Sequence, residues 1–357
     1  MKTYNLKLTP LTSFQSIPSS DTLFGAICWG IKRLYGEEKL LEILQGFSTN
    51  KPKFVLSSSF PLLQNEPGTS VAFYSKPINQ GLSSKDIEEI GRTAKEKKFK
   101  KAMVEVITKY KKFKKAEYLS ESLFNDAVNG MPERALFEGY LSDKIKPTGS
   151  MLMRDSEYTA IFAEFDSKVY KASTVQKNYI DRLTMSTGEE GQTFYQQETY
   201  TSNIFNFHFL VMTDDTEFLL PVFKYLEDKG IGGNRSTGKG RFKIEIMGEK
   251  VLPNSSNSKT FASLSRYIPQ ADEIEWESDR NFYEVFPYRS KVDSEAEFKG
   301  EDIWKSKVMY LKEGSCLEAK VRKECYGRIP VVKEIDGYKI YQNGLTIPVF
   351  GNFGGIS

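Results

Sequence analysis

Histidine and cysteine are almost missing from this chain. Its 357 residues hold one histidine, His208, and three cysteines, Cys28, Cys316 and Cys325. Three scattered cysteines make neither a disulfide framework nor a zinc site, and no paired C-x-x-C or H-E-x-x-H occurs. Cys28 falls on an apolar helix face, where a buried thiol belongs. A metal-free nuclease needs a general base, usually histidine. His208 lies mid-strand among aromatic residues, the setting of a satisfied core histidine. A nucleophile elbow is missing too. For a metal nuclease the closest carboxylate pair is Asp214-Asp215, which stands where a helix cap is expected. The sequence therefore offers no catalytic residue, no metal ligand and no cofactor motif. No apolar run approaches the length of a membrane span. Met1 to Leu11 runs into an alternating strand without a signal-peptide pattern, so a reducing cytoplasm is the expected location.

What is present is a folded, aromatic-rich chain. A hydrophobic content of 39% and an aromatic content of 13% suit globular structure, and the length suffices for two domains. The net charge of +3 says little, but its distribution is uneven. Between Arg92 and Lys115 eleven Lys or Arg face only Glu96 and Glu105, which leaves the rest of the chain net acidic. In the same region Phe99, Met103, Val106, Tyr110 and Phe113 form an apolar stripe at helical spacing. Three readings stay open for this helix: a solvated face with a packed stripe, an RNA-backbone or subunit contact, or a membrane-surface helix. It is expected to be an insertion, at about 81–125.

The stretch with most chemical content runs from Gly230 to Phe242. Its glycines free the backbone for positive φ and close approach, while Arg235, Lys239 and Arg241 add charge beside exposed amides. Gly233, Gly238 and Lys239 match a nucleotidase phosphate loop, but Gly240 replaces the magnesium-holding hydroxyl. The context is also reversed. A capped helix over Asp215–Lys229 precedes the loop, and an alternating strand from Phe242 follows it. That leaves a plain glycine-rich turn or a loop that lays amides and cations along an RNA backbone.

Upstream, Tyr4–Leu8 reads as a strand and Thr22–Tyr35 as a helix, capped by Ser20 or Asp21 and stopped at Gly36. Gly25 and Gly30 would suit close packing of this helix on a sheet. Ser13, Phe14 and Ser20 lie in the loop before its positive end, a second place for a phosphate or simply an ordinary cap. A projecting hairpin is expected at about 180–200, with Asp181 and Arg182 near its start. Ile204–Met212 is a strand. A polar linker over Pro253–Lys259 marks a domain boundary, dividing 1–250 from a strand-rich 251–357.

The order strand, helix, strand, helix, glycine loop, strand fits a β-α-β-β-α-β domain with a large insertion, a layout common among RNA-binding modules. With the glycine loop in that place, the chain resembles the RAMP superfamily of CRISPR proteins. More narrowly it resembles the foot subunit of type III-A (Csm-type) interference complexes. Four further stretches carry this: Ser20-Asp21-Thr22-Leu23-Phe24-Gly25-Ala26-Ile27-Cys28-Trp29, Asn178-Tyr179-Ile180-Asp181-Arg182-Leu183-Thr184, Val308 to Ser315, and Tyr341 to Val349.

The resemblance implies an α+β protein of two ferredoxin-like (RRM-like) domains, the second degenerate, and no enzymatic activity. It implies a grip on the 5′ tag of the crRNA by Gly232, Gly233, Asn234, Arg235, Ser236, Thr237, Gly238, Lys239, Gly240 and Arg241, helped by Asp181 and Arg182. As partners it implies crRNA, a large polymerase-like subunit and a backbone RAMP subunit, with no membrane. The competing reading is a RAMP-type endoribonuclease that processes CRISPR RNA.

Overall fold

The computed structural model describes residues 1–65, 68–93, 99–163, 168–178, 180, 183–187, 193–255, 257–292, 303–335 and 337–353. The chain opens with β1 (Lys2–Pro10), followed by α1 (Ser20–Tyr35) and α2 (Glu37–Ser48). Gly36, at φ 87°, ends α1 as expected and starts α2 at once, a helix that the sequence reading did not anticipate. β2 (Phe54–Leu56), β3 (Phe60–Gln64) and β4 (Ser70–Ser75) lead into α3 (Ser84–Thr93) and α4 (Phe99–Phe113). Next come β5 (Tyr118–Ser120), α5 (Glu121–Val128), α6 (Glu133–Leu141), β6 (Ile145–Thr148), β7 (Met151–Arg154) and α7 (Asp155–Phe162). A hairpin of β8 (Tyr170–Asn178) and β9 (Thr193–Thr201) precedes β10 (Phe205–Thr213), α8 (Thr216–Lys229) and β11 (Phe242–Glu249).

The large sheet runs β11-β1-β10-β3-β4-β5-β7-β6, with β2 also paired to β10. β1 lies antiparallel to both neighbours, so Leu6 stands between Phe209 and Ile246, and Leu8 between Phe207 and Ile244. Side chains alternate along a strand, so this row forms one apolar face. β10, at the centre, is buried along its whole length. α1 meets α8 at Gly30, where an added Cβ would lie 2.7 Å from Val222 Cγ1. The glycine thus serves helix-on-helix contact rather than the expected helix-on-sheet contact.

Residues 81–125, where a helical insertion is expected, hold α3, α4, β5 and the start of α5, and the chain goes on mixing strands and helices after them. The excursion extends to β7 and α7, and β5, β7 and β6 continue the main sheet. Of the apolar stripe on α4, Val106, Tyr110 and Phe113 are buried. Tyr110 and Phe113 pack against Phe137, at ring-centroid distances of 5.0 and 5.3 Å. Lys111, Lys112, Lys114 and Lys115 stay exposed. The packed stripe is the first of the three open readings, and it takes up the apolar face that a membrane-surface helix would use. No helix among the described residues is long and apolar enough to cross a membrane.

The C-terminal part holds β12 (Thr260–Ser263), β13 (Val285–Tyr288), β14 (Val308–Leu311), β15 (Cys316–Glu318), β16 (Val331–Ile335), β17 (Tyr338–Tyr341) and β18 (Pro348–Phe350). They form a three-stranded sheet, β15-β12-β18, and two two-stranded pairs, β13-β14 and β16-β17. Among the described residues no α-helix follows α8, so the helices of a second β-α-β-β-α-β unit are not found there. The residues from 251 onward do not form a core of their own size either. Ala262, Leu264, Cys316, Ile347 and Val349 join the same core as Leu6 and Phe207, leaving a smaller cluster around Phe261, Tyr267 and Tyr326. The polar stretch 253–259 changes composition without dividing the core, and the Ser255 N–H donates to the Phe350 carbonyl.

Candidate nucleic-acid interface

α8 is capped as the sequence suggests, with Asp215 Oδ1 accepting the Phe218 N–H at 3.0 Å. Asp215 also pairs with Lys53, which ties the start of α8 to the residue before β2. Gly230 closes the helix at φ 78°. The loop then folds on itself: the Ile231 N–H donates to the Gly240 carbonyl at 2.8 Å, and the Gly240 N–H to the Ser13 carbonyl at 3.0 Å. Gly240 has φ 68° and a Cβ there would sit 2.3 Å from the Ile231 carbonyl oxygen, so no other residue fits without moving backbone. Asn234 and Gly238, both left-handed, flank a single 3-10 turn over Arg235–Thr237.

This geometry narrows the set of amides on offer. The N–H groups of Thr237, Gly238, Lys239, Gly240 and Arg241 are spent on Asn234, Arg235, Ser13 and Thr12. Among the described residues the Gly232, Gly233 and Asn234 amides have no protein partner. Gly233 is exposed, as are Ser236, Thr237, Gly238 and Arg241. The loop therefore presents a short amide concavity at its front and an exposed guanidinium at its end, the elements that bind phosphate.

Lys239 is engaged differently. Its ammonium lies 2.8 Å from Glu198 Oε2 and donates to Ser13 Oγ at 2.9 Å. Ser13 Oγ and the Tyr200 hydroxyl also donate to Glu198 Oε2, at 2.8 and 3.1 Å. The hydrogen bond from Lys239, reinforced by Ser13 and Tyr200, outweighs burial and holds the Glu198 carboxyl down at about 2. Sequence reasoning missed Glu198: it is one polar residue in a hairpin strand, with no local motif around it. The hairpin itself is present, with strands over 170–178 and 193–201 rather than beginning near 180. Leu183 and Met185, towards its tip, are exposed. Asp181 and Arg182 lie outside the described residues.

Three other expected contacts are placed inside the protein. Phe14 is a core residue, edge-on to Phe207 at 5.3 Å, and Ser13 is buried in the Glu198 cluster. Ser20 is wholly buried, accepting the Arg266 N–H at 3.1 Å while its own N–H donates to Ser58 Oγ. The positive end of α1 is occupied: Asp21 accepts from Arg266 at 3.1 Å and from Gln342 at 3.1 Å. A phosphate has no access there, because the helix terminus already holds an internal carboxylate. Arg266 also lies against Phe286, Tyr288 and Glu313. Three stretches singled out in the sequence, around Asp21, Glu313 and Gln342, therefore converge on one buried join.

His208 is fully buried between Asn5 Oδ1 at 3.1 Å and the Phe73 carbonyl at 2.7 Å. Burial lowers its pKa to about 4, and the neutral ring donates its single N–H, from Nε2, to the Phe73 carbonyl. Among the described residues no group of three or more His, Cys, Asp or Glu is arranged to hold a metal ion.

A wide sheet with a glycine loop between its last helix and an edge strand is the architecture expected of a RAMP-type subunit. No family model matches the chain. Over 276 residues it is 24% identical to the "CRISPR system Cms protein Csm4" of Thermococcus onnurineus (strain NA1), with 76% of each covered. A chain in the crystal structure of a Csm3–Csm4 subcomplex of the type III-A CRISPR-Cas interference complex matches with a TM-score of 0.61 at 20% identity, covering 99% of this chain and 100% of that one. A chain of the Csm1–Csm4 cassette in complex with cA4 matches at 0.57 and 17% identity, over 99% of both. These likenesses bear out the resemblance read from the sequence to a RAMP-type subunit of the Csm4 kind.

Proposed function

We propose that this protein is a non-catalytic subunit of a type III-A CRISPR RNA-guided effector complex. It binds the 5′ tag of the crRNA and joins a large polymerase-like subunit to the backbone subunits. Residues 1–250 are taken as a ferredoxin-like domain, interrupted between β4 and β8. In support, β11-β1-β10 with β2 and β3 form a four-position sheet, with α1 and α8 on one face. The partners follow from the Csm1- and Csm3-containing assemblies in which chains of this fold occur.

The observation that carries the RNA-holding role is the glycine loop: unpartnered amides at Gly232–Asn234 and an exposed Arg241, at the edge of the sheet and beside a projecting hairpin. Such a surface grips phosphates with little base discrimination, and its affinity falls steeply with salt. The ribonuclease reading finds no support in His208, which is buried and hydrogen-bonded within the sheet.

The test is binding of RNAs with and without the 5′ tag by the purified complex across a salt series. Arg235→Ala/Arg241→Ala should lose tag-dependent affinity with a shallower salt slope. Tag binding that ignores both arginines moves the RNA site elsewhere. RNA cleavage lost on His208→Ala in a folded protein would establish the ribonuclease instead.

A further inference from the structure

The glycine loop, the hairpin root and the N-terminal loop meet at one carboxylate. Glu198, on β9, has a side chain only 4% exposed, and Oε2 accepts from Lys239, Ser13 and Tyr200. Lys177, on β8, brings a second ammonium to 3.6 Å from Oε1. Next to this cluster the backbones of Phe14 and Thr199 exchange two hydrogen bonds, at 3.2 and 2.8 Å, and the Ser13 carbonyl accepts the Gly240 N–H. The hairpin thus reaches the loop through one side chain on each side, with Ser13 between them.

We propose that Lys239 is a positioning residue rather than a phosphate contact, and that Glu198 and Lys239 form a clasp fixing the glycine loop to the hairpin. This rests on the RNA-holding function proposed above. A lysine whose ammonium already has a nearly buried carboxylate and a buried hydroxyl would have to abandon both to reach RNA. The carboxylate would also repel a phosphate brought to the same ammonium. The phosphate-binding elements are then the front amides and Arg241. The clasp sets their distance from the hairpin, which would take the same strand of RNA. A loop free to move relative to the hairpin would still attract RNA but would lose preference for the tag.

Counterion release separates the two roles. Each phosphate contact on single-stranded RNA contributes about 0.7 to the slope of log affinity against log salt, whereas a positioning residue contributes none. Tagged and untagged RNAs are titrated onto the assembled complex carrying Lys239→Met, Glu198→Gln, both together, or Arg241→Ala. The clasp predicts about tenfold weaker tag binding for either single variant, a similar loss for the pair, and an unchanged salt slope. Arg241→Ala should lower the slope by about one contact. A slope reduced by about 0.7 in Lys239→Met, with Glu198→Gln unchanged or tighter because it releases the lysine, would overturn the proposal. Lys239→Met alone settles the slope if Glu198→Gln does not fold. A wild-type complex that ignores the tag would instead overturn the RNA-holding function, and that is read without any variant.

Discussion

Two ion pairs, Arg266–Asp21 and Lys239–Glu198, each join segments distant in sequence, but they do different work. Arg266 lies against Phe286, Tyr288 and Glu313, and its carboxylate partner sits in the first turn of α1 inside the protein. Lys239 is partly exposed at a sheet edge and holds a surface loop to a hairpin. The first join closes the C-terminal strands over the first helix. The second sets the shape of a candidate binding surface. Both cations are about a quarter exposed and both carboxylates nearly buried, so what separates the two pairs is what they join: apolar rings and the C-terminal strands in one case, a loop and a hairpin in the other.

Breaking the buried pair should cost most. Arg266→Met leaves Asp21 without its charged partner in a buried site and is expected to destabilise by about 3 kcal/mol or more. A urea midpoint measured beside wild type checks this, and a loss under 1 kcal/mol would make the join dispensable. Gly240→Ala comes next. It forces a side chain into a left-handed position against the Ile231 carbonyl and should cost on the order of 1–3 kcal/mol. The same measurement tests it, with Gly238→Ala, where a Cβ meets nothing within 4 Å, as the milder control.

The surface clasp should show itself more through pH than through total stability. The Glu198 carboxyl titrates near 2 when folded, below its usual value of 4.5. Its contribution is therefore complete above about pH 4.5 and is lost as pH falls towards 2. Wild type should lose stability over that window more steeply than Glu198→Gln, in urea melts at successive pH values. Parallel curves would remove the clasp from the account. The smallest effect is expected at the end of α4 and the turn after it, where replacing Lys111, Lys112 and Lys115 together by Ala should move stability by less than about 0.5 kcal/mol per site.

The elements around the loop were legible because their signals are local. The 3.6-residue spacing of α8, its Asp215 cap, the Gly36 and Gly230 stops and the alternation of β1 and β11 all sit within a few residues of what they determine. What stayed hidden depends on partners far away. Glu198 is 41 residues from Lys239, and nothing near it in sequence marks it as buried. Ser20 and Asp21 looked like a surface helix cap, because the chain that covers them, at Arg266 and Gln342, comes more than 240 residues later. The short C-terminal strands of three to five residues mostly pair with partners far along the chain and carry too little periodicity to show their order. The region of the expected insertion hid its strands for a related reason. Its lysine-rich helix is conspicuous, whereas β5, β6 and β7 are only three or four residues each.

The most direct measurement is photo-crosslinking of the assembled complex with crRNA carrying a photoreactive uridine in the 5′ tag, followed by peptide mapping. The account predicts crosslinks in the peptide around 232–241 and in the hairpin between β8 and β9. Crosslinks confined to the lysine-rich face of α4, around 109–115, would contradict it and leave the glycine loop as a turn that completes the sheet.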